Sequence, residues 1–302
     1  MPDTPALAVV SPGAMGSALG RAWRENGLRV VATVAGRSER TRSLAHGLEL
    51  LADLDAVVAA ADIVFSVCPP EQAAAVAEAV AQAAARTRAR PLFVDLNAVA
   101  PVTVRAIAAR LAGAGLDTVD GSISGGPPTG RGTTRLYLSG PAAERVATLA
   151  APGIRLAAVS GRVGDASAVK MCTASVYKGA SGLLIQALRA SQALGVADAV
   201  VADLQDSGFA ASSADIARRV AVTASKTDRY PGEMREIART QEACGLGATL
   251  FDAIAAVFES IHTTALGRRT PEEAAGMQAL ADVLGQLAAP DGAGQFVLGL
   301  PD

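Results

Sequence analysis

Ser11-Pro12-Gly13-Ala14-Met15-Gly16 stands between a short apolar run, Leu7 to Val10, and a helical stretch, Ser17 to Asn26, that stops at Gly27. The hexapeptide fits the pattern G-x-G-x-x-G except at its first position, where serine replaces glycine. In that pattern the middle glycine lets a pyrophosphate approach the backbone, and the third lets helix and strand pack closely. The helix start adds free N–H groups and a partial positive charge. The chemistry indicated is dinucleotide binding; the plainer alternative is an ordinary tight turn between strand and helix.

The next apolar run, Arg29 to Val34, leads into Ala35-Gly36-Arg37-Ser38. Domains that bind NAD usually end this strand in a carboxylate that accepts from the ribose 2′-hydroxyl, and none stands here. Arg37 can stack on adenine and pair with a 2′-phosphate, while Ser38 and Arg40 add a hydroxyl donor and a second charge. NADP(H) is therefore expected over NAD. The alternative is that Arg37, Arg40 and Arg42 form a solvated helix face.

Of 27 basic residues only Lys170, Lys178 and Lys226 are lysines, so each invites a reason. Lys170, Ala174, Tyr177 and Ser181 recur at spacings of four, three and four, which places them on one helical face. Lys178 falls about 80° round from Lys170 at 100° per residue. It can reach the edge of the same cleft or a neighbouring chain; the bland alternatives are a satisfied core hydroxyl for Tyr177 and a surface charge for Lys178.

Short β-branched runs alternate with Ala-rich helical stretches through the first half, as in a parallel sheet with crossover helices. Strands are expected at Leu7 to Val10, Arg29 to Val34, Ile63 to Val67, Leu92 to Asp95, Asp117 to Ser122, Arg135 to Ser139 and Arg155 to Val159. Helices are expected at Ser17 to Asn26, Ser38 to His46 and Glu71 to Ala85. Beyond about Arg162 the pattern turns helical: Ala166 to Leu194, Val196 to Asp206, Ser212 to Ser225, Gly232 to Ala243, Ala248 to Leu266 and Pro271 to Leu287. The expected architecture is an α/β Rossmann-type doubly wound parallel sheet over residues 1–162 and an all-α domain over 163–302 for substrate binding and dimerisation, ending in an extended segment from Pro290 to Asp302.

Composition excludes several classes. The 302 residues carry a net charge of −2, and half of them are apolar, which argues against nucleic-acid binding and against disorder. No membrane span or signal peptide is evident, so a cytoplasmic location is expected. Cys68, Cys172 and Cys244 have no metal-ligand spacing, and with His46 and His262 as the only histidines no metal site is expected. The partner is then a small molecule.

Several segments together resemble the β-hydroxyacid dehydrogenase family that includes 6-phosphogluconate dehydrogenase. The glycine loop with Met15 is similar to that family's fingerprint, and Val67-Cys68-Pro69-Pro70 to its loop on the nicotinamide side. Val94-Asp95-Leu96-Asn97 followed by Pro101 is similar to its next strand-end motif. Asp120-Gly121-Ser122-Ile123-Ser124-Gly125-Gly126-Pro127 resembles the family's substrate-binding signature, which implies that Ser124, Gly125 and Gly126 hold a substrate carboxylate. Paired glycines suit that role because backbone donors stay open to an anion.

Gly164-Asp165-Ala166-Ser167-Ala168-Val169-Lys170-Met171-Cys172 resembles the family's catalytic helix. The resemblance implies that Lys170 exchanges a proton with substrate oxygen, which a lysine can do and an arginine cannot. Tyr177 is then a candidate second proton donor. Where the family commonly has asparagines three and four residues after the lysine, this chain has Thr173 and Ala174, so Thr173, Ser175 or Tyr177 must orient substrate instead.

The expected activity is NADP(H)-dependent interconversion of a small 3-hydroxy acid and its 3-oxo acid by a homodimer. The alternatives are an NADPH-dependent imine reductase, against which retention of Lys170 argues, and a catalytically idle nucleotide-binding module.

Overall fold

A computed structural model describes residues 4–128 and 134–287. The expected tail from Pro290 to Asp302 lies outside the described residues. The chain divides into two compact units, one of residues 1–173 and 239–246, the other of 174–238 and 247–302.

The first unit is built on eight strands: β1 (Leu7–Val10), β2 (Val30–Ala32), β3 (Glu49–Leu50), β4 (Ile63–Ser66), β5 (Leu92–Asp95), β6 (Thr118–Ser124), β7 (Thr134–Ser139) and β8 (Ile154–Ser160). They lie in the order β3-β2-β1-β4-β5-β6-β7-β8. The first six in sequence pair in parallel, as the apolar runs imply, and β6 pairs with β7 antiparallel. Strand order reverses between β1 and β4, so the loops leaving those two strands open a crevice at the carboxyl edge of the sheet.

Alternation along β1 shows why these runs are apolar throughout. Leu7 and Val9 belong to the core on one face with Trp23 and Phe65, and Ala8 and Val10 to the core on the other with Val80 and Phe93. The Trp23 and Phe65 rings stack at 4.4 Å. Helices α1 (Ala14–Glu25), α2 (Glu39–Leu44), α3 (Leu54–Ala60), α4 (Ala73–Thr87), α5 (Pro101–Ala112) and α6 (Ala143–Ala147) connect the strands. Helix α1 begins inside the glycine motif, three residues before the expected Ser17.

Beyond β8 the described residues form helices only: α7 (Asp165–Ala193), α8 (Ala197–Asp206), α9 (Ser213–Ala224), α10 (Tyr230–Ala243), α11 (Thr249–His262), α12 (Pro271–Ala275) and α13 (Leu280–Leu287). The stretch expected as one helix from Pro271 to Leu287 is broken after Ala275, where α12 reaches its C-cap at Gly276. In the second unit α9 packs on α11, α12 and α13, burying Ile216, Val220, Phe258 and Val283. No helix among the described residues is long and apolar enough to cross a membrane.

Candidate nucleotide and substrate site

The glycine loop turns through Ser11, whose φ of +66° is in the left-handed region. Its Oγ accepts a hydrogen bond from Arg37 Nη2 at 3.0 Å, joining the fingerprint to the turn after β2. Gly13 is the N-cap of α1, and a Cβ there would meet nothing within 4 Å. A Cβ on Gly16 would come within 3.0 Å of both Ser11 O and Val9 Cγ1, so only glycine lets α1 start this close to β1. Helix α1 has no side-chain cap and no acidic residue in its first turn. Open space, an uncapped helix start and the absence of competing carboxylates are what a bound pyrophosphate requires.

Arg37 also lines a crevice of about 150 Å³ with Val10, Thr33, Ala35, Leu54 and Val76. That is a mostly apolar crevice with an arginine in its lining, suited to an adenine ring beside an anionic group. Ser38 is otherwise employed: its Oγ accepts from Thr41 N and caps α2. Arg40 is exposed in the first turn of that helix.

On the other side of the switch point, Cys68 and Asn97 meet. Asn97 Oδ1 accepts from Cys68 N at 2.7 Å, and Asn97 Nδ2 donates to Ser66 Oγ at 3.0 Å. The amide thus braces the two loops leaving β4 and β5 with both of its ends. Pro69 is exposed and Pro70 buried, starting a 3₁₀ turn, Pro70–Gln72, that leads into α4. Burial pushes the Cys68 thiol up to about 11, which leaves it unreactive at neutral pH.

Strand β6 and the start of α7 form a joint. Asp120 Oδ2 accepts from Gly164 N at 2.9 Å, Ser167 N at 3.0 Å and Ser139 Oγ at 2.8 Å, and Oδ1 accepts from Ser167 Oγ at 2.6 Å. Ser139 Oγ in turn accepts from Ala166 N, and Ser122 Oγ donates to Ala166 O. One turn further along, Lys170 Nζ donates to Ile123 O at 2.8 Å, which brings the amine beside Ser124. The chain then turns through Gly125 at φ +99°, leaving Gly125 and Gly126 exposed.

Sequence reasoning assigned the Asp120 segment to substrate as a block and missed that Asp120 and Ser122 secure α7. Its only sequence signal is a carboxylate inside a strand, with partners in α7 more than 40 residues away. Burial raises the Asp120 pKa, and the hydrogen bonds from Ser167 act against it. Its register neighbour Asp95 is pushed up to about 7, chiefly by burial; Oδ1 accepts from Asn97 N at 2.8 Å, while Oδ2 has no partner.

Thr173 is exposed, and its hydroxyl donates back to Val169 O at 2.9 Å, so its proton is spent on its own helix. Tyr177 belongs to the second unit and is 72% exposed. Lys178, also in that unit, is paired with the buried Glu233 and lies 4.6 Å from the centre of the Tyr230 ring.

Residues 6–154 match the NAD binding domain of 6-phosphogluconate dehydrogenase. The N-terminal half of the chain belongs to that family. Residues 191–261 match a domain of unknown function, DUF1932, and no curated protein matches the chain. Among solved structures, the fold is similar to a conserved protein of unknown function that resembles 3-hydroxyacid dehydrogenases, with 25% identity, TM-score 0.63, and coverage of 85% of this chain and 96% of that one. It is similar to 3-hydroxyisobutyrate dehydrogenase from Salmonella typhimurium, with 19% identity, TM-score 0.67, and coverage of 89% and 98%. An imine reductase from Myxococcus stipitatus follows, with 22% identity, TM-score 0.54, and coverage of 93% and 99%.

Proposed function

We propose that the protein is an NADP(H)-dependent oxidoreductase that interconverts a small 3-hydroxy acid and its 3-oxo acid, with Lys170 as proton donor and acceptor. The observation that carries this reading is the bond from Lys170 Nζ to Ile123 O, which puts the amine next to the Ser124-Gly125-Gly126 turn. A carboxylate held by the Ser124 hydroxyl and the exposed backbone N–H groups of Gly125 and Gly126 presents its C3 oxygen to the amine.

The nicotinamide, when bound, supplies or takes the hydride at the carbonyl carbon. Ser11 to Gly16 and the start of α1 receive the pyrophosphate, and Arg37, assisted by Arg40, receives the 2′-phosphate. Cys68, Pro69 and Pro70, braced by Asn97, form the wall on the nicotinamide side. In the reductive direction Lys170 gives its proton to the substrate oxygen and regains one from solvent; in the oxidative direction it takes the hydroxyl proton. Thr173 is a second contact to substrate through the acceptor side of its hydroxyl.

Residues 163–302 form the substrate and dimerisation domain in this reading. Within the second unit, Val176, Ala180, Leu183, Ala187 and Ala190 recur along α7 at spacings of four and three, Leu194 continues the series just past its end, and Val176, Leu183 and Leu194 are 67%, 60% and 76% exposed. The stripe is uncharged and symmetric about its midpoint, so a second α7 running antiparallel would match it. Leu183→Asp should convert a dimer into a monomer in sedimentation. Three free cysteines accord with the cytoplasm.

The test is a panel of 3-oxo acids and cyclic imines followed by NADPH absorbance, with Lys170→Met alongside. Turnover of 3-oxo acids that falls at least about 100-fold in Lys170→Met, with NADPH affinity within about twofold, supports the reading. Turnover confined to imines reverses it in favour of an imine reductase, and nucleotide binding with no turnover of either class favours an idle nucleotide-binding module.

A further inference from the structure

Ser11 is an unusual residue for its place. Glycine adopts positive φ freely, whereas a side chain there crowds the backbone. Among the described residues other than glycine, only Ser11 and Arg88 have positive φ. Arg88 is at the C-cap of α4, where a left-handed residue commonly ends a helix. Ser11 instead occupies a ligand-facing turn, and its strain has one visible return: its Oγ accepts from Arg37 Nη2.

Arg37 is reached by an eased turn, with Gly36 at φ +68°, and is half-buried along the crevice lined by Val10, Thr33 and Leu54. A long guanidinium side chain without an anchor samples many rotamers and loses that freedom when it grips a ligand. The bond to Ser11 uses one of five guanidinium N–H donors and leaves the fork available to a phosphate. Ser38 cannot take over this anchoring because its hydroxyl caps α2.

We propose that Ser11 is a positioning residue for nucleotide selection: it holds Arg37 in place at the crevice, so that the protein discriminates in favour of the dinucleotide bearing a 2′-phosphate. The proposal rests on the reading of Arg37 as the 2′-phosphate partner. It assigns to the first fingerprint position a role that glycine cannot fill. The loop gives up backbone ease and gains a link between the pyrophosphate site and the 2′-phosphate site.

The experiment uses the full chain and five proteins: wild type, Ser11→Gly, Ser11→Ala, Arg37→Ala and the Ser11→Ala/Arg37→Ala double variant. Each is titrated with NADPH and NADH by fluorescence and melted without nucleotide. Ser11→Gly should melt higher than wild type yet lower the NADPH-to-NADH affinity ratio about fivefold, the size of one ordinary hydrogen bond. Ser11→Ala should lower the ratio to the same extent without the rise in melting temperature. Arg37→Ala should abolish the preference, and adding Ser11→Ala to it should change the ratio no further.

If Arg37→Ala abolishes the preference while both Ser11 variants keep it, the positioning role is overturned and the NADP reading stands. If the Ser11 variants weaken NADPH and NADH equally, Ser11 serves the pyrophosphate alone and the proposal is again overturned. If Arg37→Ala leaves the ratio unchanged, the reading beneath the proposal falls with it.

Discussion

Two helix starts in the first unit, those of α1 and α7, are treated in opposite ways. Helix α1 begins with a glycine N-cap, no side-chain cap and no acidic residue in its first turn. Helix α7 begins with Asp165 in its first turn, the Asp120 carboxylate on two backbone N–H groups and the Ser139 hydroxyl on a third. Each helix start offers the same unpaired donors and partial positive charge. At α7 the protein satisfies them internally, which fixes the helix and so the position of Lys170; at α1 no side chain does so, which is where the proposed function puts the pyrophosphate. In the proposed function, α1 is the binding terminus and α7 the structural one.

The largest effect should come from emptying the satisfied terminus. Asp120→Ala removes the acceptor for two backbone N–H groups and two hydroxyls in a buried place, and should cost about 3–5 kcal/mol in chemical denaturation. A loss under about 1 kcal/mol would break the contrast, because the start of α7 would then need no internal anion. Filling the open terminus is the converse. Gly13→Asp should leave the melting temperature unchanged or slightly higher while weakening NADPH binding at least about 100-fold, since the new carboxylate caps α1 and repels pyrophosphate. Binding within about threefold of wild type would show that the open terminus is not where the nucleotide docks.

The effect confined to one part of the pH range concerns Asp95, whose unpartnered oxygen stands next to the fully engaged Asp120. Its pKa rises from 3.8 to about 7 on folding. Between those values the folded chain holds a proton that the unfolded chain has lost, so stability falls as pH rises from about 4 to about 7 and is level above. Asp95→Asn should remove that slope, so that its gain over wild type is absent at pH 4, grows as pH rises to about 7 and is level at pH 8. Equal gains at both pH values would show that the carboxyl does not titrate in this range.

Much of this was legible in the sequence because the sheet is buried on both faces, so its strands read as unbroken apolar runs. β3 was not: it has two residues, both exposed, and no pattern to detect. The broken end of the chain's helical half was misread because Gly276 is compatible with either a weak helix interior or a stop. The glycine loop, Lys170 and the Ser124 turn were readable as local strings. Asp120 as the anchor of α7 was not, since its partners follow about 44 to 47 residues later and only the fold brings them together. The double duty of the Asn97 amide was hidden for the same reason.

The scarcity of lysine has a practical consequence. An acylating reagent spreads over many amines on most proteins, but here it meets only Lys170, Lys178 and Lys226 apart from the chain's N-terminus. Lys170 donates to a carbonyl, Lys178 is salt-bridged to a buried carboxylate, and burial lowers the pKa of Lys226. Three amines in three such different settings make mass-resolved acylation a readout of individual positions, so that protection of a single peptide on adding a candidate substrate would identify which amine it covers.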